Sequence, residues 1–422
     1  MAIREIRMAK TPEELYQERG KRVTDAIHLR IPDRVPLEIA FSYFPARYTG
    51  ITCADAWYNY DKWLAACKKT LLDFQPDIGG VQSFFPGKVL EYIDPKSLRW
   101  PGDGISPYHT HQAVELEAMK EDEYDAFFGD LSDYMLRVYL PRVSGAMEPF
   151  SMIPRLSSLG YGYRGALVLA EALTKPEVAV AIETLQKAGR ELRRWRSKME
   201  AFAREVQDLG FPPLSQGAAL APFDAISDSL RGMAGTMLDM YRQPDRLLEA
   251  CEKILGITLE RIRATVPRGG NERVGIPLHR GSEGFMSLKQ FETFYWPTLK
   301  RLVQGIADEG LTPCVFFEGD YTSRLEYLLE LPKGKVFGHF DTTDIFKAKE
   351  VLRGHMCIVG DVPCSLLQTG TLEDVKGYCK KLIDIVGKDG GFIMSTRSPV
   401  DDVKPENLKV MIDFTKEYGV YH

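Results

Sequence analysis

The 422-residue chain has few cysteines, no marked excess of either charge and no long apolar run. Its seven cysteines, at 53, 67, 251, 314, 357, 364 and 379, are odd in number, widely spaced and never arranged as CxxC. A disulfide framework and a zinc ribbon are thereby excluded, and a reducing, cytoplasmic compartment is expected. The most apolar stretch, GALVLAEAL at 165–173, is too short to span a bilayer and carries Glu171, and the opening MAIREIRMAKTPEELYQERGKR is charged and helical in pattern. Neither a membrane span nor an export signal is expected. Lys and Arg total 54 against 59 Asp and Glu, a net charge of −5 without same-sign runs, so no basic face for nucleic acid or anionic lipid is built. GxGxxG after a strand, GxxxxGK[ST], HExxH and GxSxG are all missing, which leaves nucleotide, zincin and α/β-hydrolase readings without a motif.

What is present is a βα pattern. Short apolar runs at 274–278, 313–317, 336–340, 356–359 and 392–394 alternate with segments of helical period, the mark of a parallel sheet covered on both faces. Leu288, Phe291, Tyr295, Leu299, Leu302 and Ile306 step by three and four, with Pro297 as a possible kink and Gly310 as the stop. Thr371 and Asp374 have capping-box spacing, and Pro405 to Gly419 bounds the last helix. Three further runs, at 35–41, 78–85 and 214–221, bring the strand count to eight. The expected fold is therefore a single α/β domain over 1–422, a (β/α)8 TIM-type barrel with insertions at about 90–150 and 166–209, and a doubly wound open sheet is the alternative. The charged helical stretch 166–209 is expected to wrap the outside.

In such a barrel the chemistry sits just after each strand. The residues there are His279 and Arg280, Glu318 with Asp320, His339 with Asp341, Asp361 and Cys364, and Arg397. Glu318, His339 and Cys364 are spaced one βα unit apart, and carboxylate, imidazole and thiolate are all zinc ligands, so a three-ligand catalytic zinc is expected there, with His279 and Asp361 as alternates. The competing reading makes Cys364 a small buried residue and His339 a hydrogen-bonded core histidine. Asp224 and Asp228 share a helix face, a pattern that capping also explains. Phe41, Tyr43 and Phe44 form a candidate apolar wall for a substrate, Tyr161 and Tyr163 a candidate lid, and His109 and His111 an HxH pair in a polar loop.

The stretches PDRVPL, FQPDIGG, APFD with DSLRG, FFEGD, HFDTTDIFKAKEVL, IVGDVPCSLLQTGTLEDV and SPVDDVKPENLKVMIDF, in this order, resemble the uroporphyrinogen decarboxylase superfamily, and within it the cobalamin-linked methyltransferases. The resemblance implies a (β/α)8 barrel with its site at the C-terminal mouth. Tetrapyrrole decarboxylases of the family carry an arginine-rich first segment and then an aspartate. Here LEIAFSYFPARYTG holds Arg47 alone and GGVQSFF holds no acid. Thiol-directed methyltransferases carry His-x-Cys-Gly after the strand that here reads CVFFEGD and a second cysteine after the last strand. This chain has Phe316, Glu318 and Ser398 instead. The branch left is similar to the substrate:corrinoid methyltransferases of anaerobic O-demethylase systems. It implies a zinc ion, catalytic roles among Glu318, His339, Asp361 and Arg397, a small methoxylated, aromatic substrate held by Phe41, Tyr43, Phe44, His279 and Tyr163, and cobalamin on a separate corrinoid protein. A metal-free decarboxylase holding its carboxylate with Arg397, Arg280 or Arg47 is the alternative.

Overall fold

The computed structural model describes residues 10–81, 83–266 and 272–422. The opening stretch up to residue 9, and Gln82 within the second apolar run, lie outside them. Eight parallel strands form the centre: β1 (Glu38–Phe41), β2 (Ile78–Val81), β3 (Gly217–Ala218), β4 (Arg273–Leu278), β5 (Thr312–Phe317), β6 (Phe337–Phe340), β7 (Cys357–Val362) and β8 (Phe392–Thr396). Regular ladders join β1 to β2 and run unbroken from β3 to β8. The two seams between these sheets are held by isolated parallel bridges rather than ladders, Leu37 to Met394 and Phe41 to Val400 at one, Gly79 to Pro213 at the other. The order is thus circular, as the eight apolar runs predict.

Burial explains why these runs were visible. Every residue of β6, β7 and β8 is buried, since interior side chains fill one face and helices cover the other. Helix Trp296–Asp308 turns Leu299, Leu302, Val303 and Ile306 inward and stops where Gly310 takes φ +78. Pro297 does not break that helix. A π-turn at Phe291–Tyr295 immediately before it absorbs the missing amide donor. The capping box of Thr371 and Asp374 opens Leu372–Ile385, and Pro405 opens Pro405–Tyr418.

Helix Pro12–Ile27 lies across the N-terminal end of the barrel, where Val23, Ala26 and Ile27 pack on Cys314, Phe337 and Cys357 at the strand starts. All seven cysteines are free, and these two are apolar filling. The insertion after β2 carries a three-stranded sheet (Leu98–Pro101, Gly104–Ile105, Gln112–Ala113) and several short helices. Helix Pro176–Asp208 runs 33 residues along the outside and buries one narrow stripe through Val178, Ala181, Ala188, Trp195 and Phe202. Among the described residues, no helix is long and apolar enough to cross a membrane.

Candidate active site

The chain leaves β3 and enters helix Pro222–Ser229, whose first turn carries Asp224 and whose second carries Asp228. The i, i+4 spacing aims both carboxylates at the residues that follow β4. Asp224, fully buried, accepts the backbone N–H of His279 at 2.9 Å, that of Arg280 at 3.0 Å and the Tyr295 hydroxyl at 2.7 Å. Burial pushes its carboxyl up to about 6, against the pull of these donors. One turn later Asp228 takes the side chains: its Oδ2 lies 2.5 Å from His279 Nδ1 and its Oδ1 3.0 Å from Arg280 Nη2. Helix and strand end are therefore locked by five hydrogen bonds, two to Asp224, two to Asp228 and one from Arg280 Nε–H to Ser227 Oγ at 3.1 Å.

The other imidazole nitrogen, His279 Nε2, faces Glu318 at 3.9 Å across the gap to the loop after β5. The hydrogen bond to Asp228 raises the His279 pKa above its ordinary value, and Asp224 and Glu318 add to it. Partial burial raises the Glu318 carboxyl as well. These groups line a cleft of about 780 Å3 at the C-terminal mouth, whose far wall is Val114 and Glu115 from the insertion and whose floor includes Asp341. The Arg280 guanidinium lies 4.8 Å from the Phe285 ring centre, the aromatic side chain of this cleft. An imidazole whose pKa is raised, a carboxyl raised by burial and an arginine can together protonate a leaving group or steady an anion.

The expected zinc set does not assemble. In the strand register Phe316, His339 and Val359 stand level, so at about 3.3 Å per residue Glu318 lies roughly 7 Å farther along the barrel axis than His339, and Cys364 comes later still. Equal spacing along the sequence does not mean equal height. His339 is buried, donates Nε2–H to the Thr396 carbonyl at 2.7 Å and sits edge-on to Phe316. Burial brings its pKa down to about 4, so it is a neutral core histidine. The Cys364 sulfur contacts Ser398 at 3.6 Å. Of the alternates, His279 holds Asp228 with Nδ1 and turns Nε2 toward Glu318 at 3.9 Å. Asp361 is buried, accepts the Tyr378 hydroxyl at 2.9 Å and Arg397 Nη2 at 3.0 Å, and has its carboxyl raised to about 6 by that burial. Among the described residues, no three His, Cys, Asp or Glu side chains stand together as ligands for one ion.

The apolar substrate wall is also corrected. Phe41 and Phe44 are buried against Phe74, and Tyr43 against Phe84, so none of them faces the cleft. The Tyr43 hydroxyl accepts Trp57 Nε1–H at 2.9 Å and meets His111 Nδ1 at 3.0 Å, which makes His111 a packed residue rather than half of a surface metal pair. Tyr161 and Tyr163 are exposed and do not line the cleft. His279 does line it. The pair of helix carboxylates behind it was legible as a shared face, and only its purpose was not.

The sequence profile of the Uroporphyrinogen decarboxylase (URO-D) family matches residues 171–418. Uroporphyrinogen decarboxylase of Chlorobium phaeobacteroides is 25% identical over 189 residues, 43% of this chain and 52% of that protein. The Chlorobium luteolum enzyme is 26% identical over the same length and shares. The chain spans about half the length of these curated relatives. Among solved structures, a methyltransferase from Methanosarcina mazei superposes with a TM-score of 0.61 at 14% identity, over 95% of this chain and 98% of that one. With more than half of its residues matched, this chain belongs to the uroporphyrinogen decarboxylase family.

Proposed function

We propose that this chain is the demethylating component of a corrinoid-linked methyl transfer, taking a methyl group from a methoxylated small molecule to cob(I)alamin on a separate corrinoid protein. The observation that carries it is the His279–Asp228 pair facing Glu318 in the mouth cleft. In the reaction, the acceptor's electron pair forms the new bond to the methyl carbon, the C–O bond breaks, and the oxygen keeps its electrons. That oxygen needs a proton or a Lewis acid as it leaves. His279 supplies the proton from Nε2, and Asp228 on Nδ1 holds the ring in place and steadies the charged form. Zinc, which the resemblance implies, finds no three-donor set among the described residues, and no step is routed through it. The open mouth, where Glu318 stays half-exposed, leaves room for the acceptor protein to approach.

The test mixes purified protein with cob(I)alamin and a panel of methoxylated compounds and follows the corrinoid spectrum. Methylation with at least one donor, lost in His279→Ala, supports the reading, and no methylation with any donor on free or protein-borne cobalamin overturns it. Arg280 in the cleft favours a second reading, decarboxylation of a small acid whose carboxylate it would hold. All three arginines are paired, Arg47 with Asp401, Arg397 with Asp361 and Arg280 with Asp228, and Arg280 is the one that lines the cleft. Release of CO2 from a carboxylate panel without any corrinoid would decide for that alternative.

A further inference from the structure

At the end of the barrel opposite the mouth, where β7 and β8 begin, a lysine is buried with little to hold it. Lys349, in helix Ile345–Leu352, is 7% exposed, and its Nζ meets one acceptor, the Gly390 carbonyl, at 3.4 Å. An ammonium has three donors, and burying one without a counter-charge is costly. Among the described residues Lys349 forms no ion pair, because the carboxylate beside it, Asp389, is taken by Arg353 Nη2 at 2.8 Å. Burial lowers the Lys349 pKa, and the Arg353 charge adds to that while Asp389 opposes it. These three side chains line a pocket of about 120 Å3, so two cations face one carboxylate there. The wall beside the ammonium has no side chain: Gly390 takes φ +74 and Gly391 φ +63, and a Cβ on Gly391 would stand 3.0 Å from Leu29 Cδ2.

We propose that this pocket binds an oxyanion of the phosphate class, held by the Lys349 ammonium at its floor and the Arg353 guanidinium at its rim. Charge sets the sign of the ligand, since the excess is positive and a metal ion would find a single carboxylate. Volume sets its size. At about 30 Å3 per water the pocket has room for roughly four waters, enough for one tetrahedral oxyanion and well short of the roughly 300 Å3 at which sites for organic cofactors begin. Arg353 gives Asp389 one nitrogen and keeps two for a ligand, and its exposed position lets a phosphate arrive free or as the terminal group of a small monoester whose body stays outside. The pocket shares no lining residue with the mouth cleft, so the site stands independently of the methyl-transfer reading.

Titration calorimetry of the full chain with inorganic phosphate, at an ionic strength fixed with chloride, should show one saturable site per chain in the millimolar range or below. Lys349→Met keeps the buried stem and removes the charge, and it should abolish binding. Arg353→Gln should weaken it about tenfold, the loss of one charge-assisted contact. Arg353 is exposed, so this variant should keep the far-UV circular dichroism of the parent protein and decides the matter alone if Lys349→Met does not fold. The same titration with glycerol phosphate distinguishes the sources: tighter binding than phosphate assigns the site to a monoester, and weaker binding assigns it to the free ion. No saturable heat with either compound, or an affinity unchanged in the folded variants, overturns the proposal and leaves Lys349 a packing residue.

Discussion

Asp228 bonds His279 Nδ1 at 2.5 Å with one carboxylate oxygen and Arg280 Nη2 at 3.0 Å with the other. A single side chain thus fixes two consecutive residues of the β4 exit, and it does so with the same group that raises the His279 pKa. Position and protonation are set together, which is what a general acid needs.

The pH dependence of this pair has a definite sign. His279 is the acid in its charged form, and its folded-state pKa is raised, so activity is full at low pH and falls as pH rises through that value. Asp228→Asn removes the first cause of the rise and should bring the descending limb of the kcat/KM profile to lower pH, while Glu318→Gln, which removes a weaker one, should move it less. His279→Ala should lower kcat about 10²- to 10⁴-fold, the usual range for a positioned acid. The same raised pKa gives stability that is present at low pH and lost as pH rises through it. A profile unchanged in Asp228→Asn would remove His279 from the role of acid.

Asp224 acts one layer behind. Asp224→Ala leaves the Tyr295 hydroxyl and the amides of His279 and Arg280 without their acceptor in a fully buried place, and the cost should be about 3 kcal/mol or more in urea unfolding. Asp224→Asn keeps an acceptor oxygen and the shape. It should recover only part of the stability, because its NH2 faces a backbone N–H that the second carboxylate oxygen accepted, and kcat should stay reduced as the strand exit that aims His279 is gripped less firmly. Equal stability in Asp224→Ala and the parent protein would contradict this.

His339 tests what the sequence could and could not show. His339→Ala opens a cavity and takes from the Thr396 carbonyl the shorter of two hydrogen bonds, the other coming from the Ser395 hydroxyl, so it should cost about 2 to 4 kcal/mol, yet metal content by mass spectrometry should equal that of the parent protein. The eight strands were legible because a strand buried on both faces is a continuous apolar run bounded by turn residues, as in β7. The helix ends at Thr371 and Gly310 were legible because caps are local chemistry. Strand register is not local, and so the equal spacing of Glu318, His339 and Cys364 suggested one focus where the structure has different heights. Phe41, Tyr43 and Phe44 failed for a related reason: an aromatic residue at a strand end packs equally well toward the mouth or toward the helices, and only the tertiary contacts with Phe74 and Phe84 choose. Asp224 and Asp228 were seen as one helix face, but their partners lie more than 50 residues away.

Asp361 and Arg397 give the last prediction. Burial raises the Asp361 carboxyl to about 6, and Arg397 is one of the groups holding it even that low, beside the Tyr378 hydroxyl and the Asp361 backbone amide. An acid whose folded pKa lies above its unfolded value contributes stability at low pH and loses it as pH rises through the folded value. Arg397→Ala takes away the compensating charge, so the folded pKa of Asp361 should climb further and the ionised form should become costlier to bury. The variant should therefore be nearly as stable as the parent protein at pH 5 and weaker by about 1 to 3 kcal/mol at pH 8, measured by urea unfolding at both values. Arg397→Lys, which keeps a cation but not the two-pronged contact, should fall between. A loss of the same size at both pH values would mean that Arg397 stabilises by packing alone, and the pair could not be assigned the task of keeping a buried carboxylate charged beside the mouth.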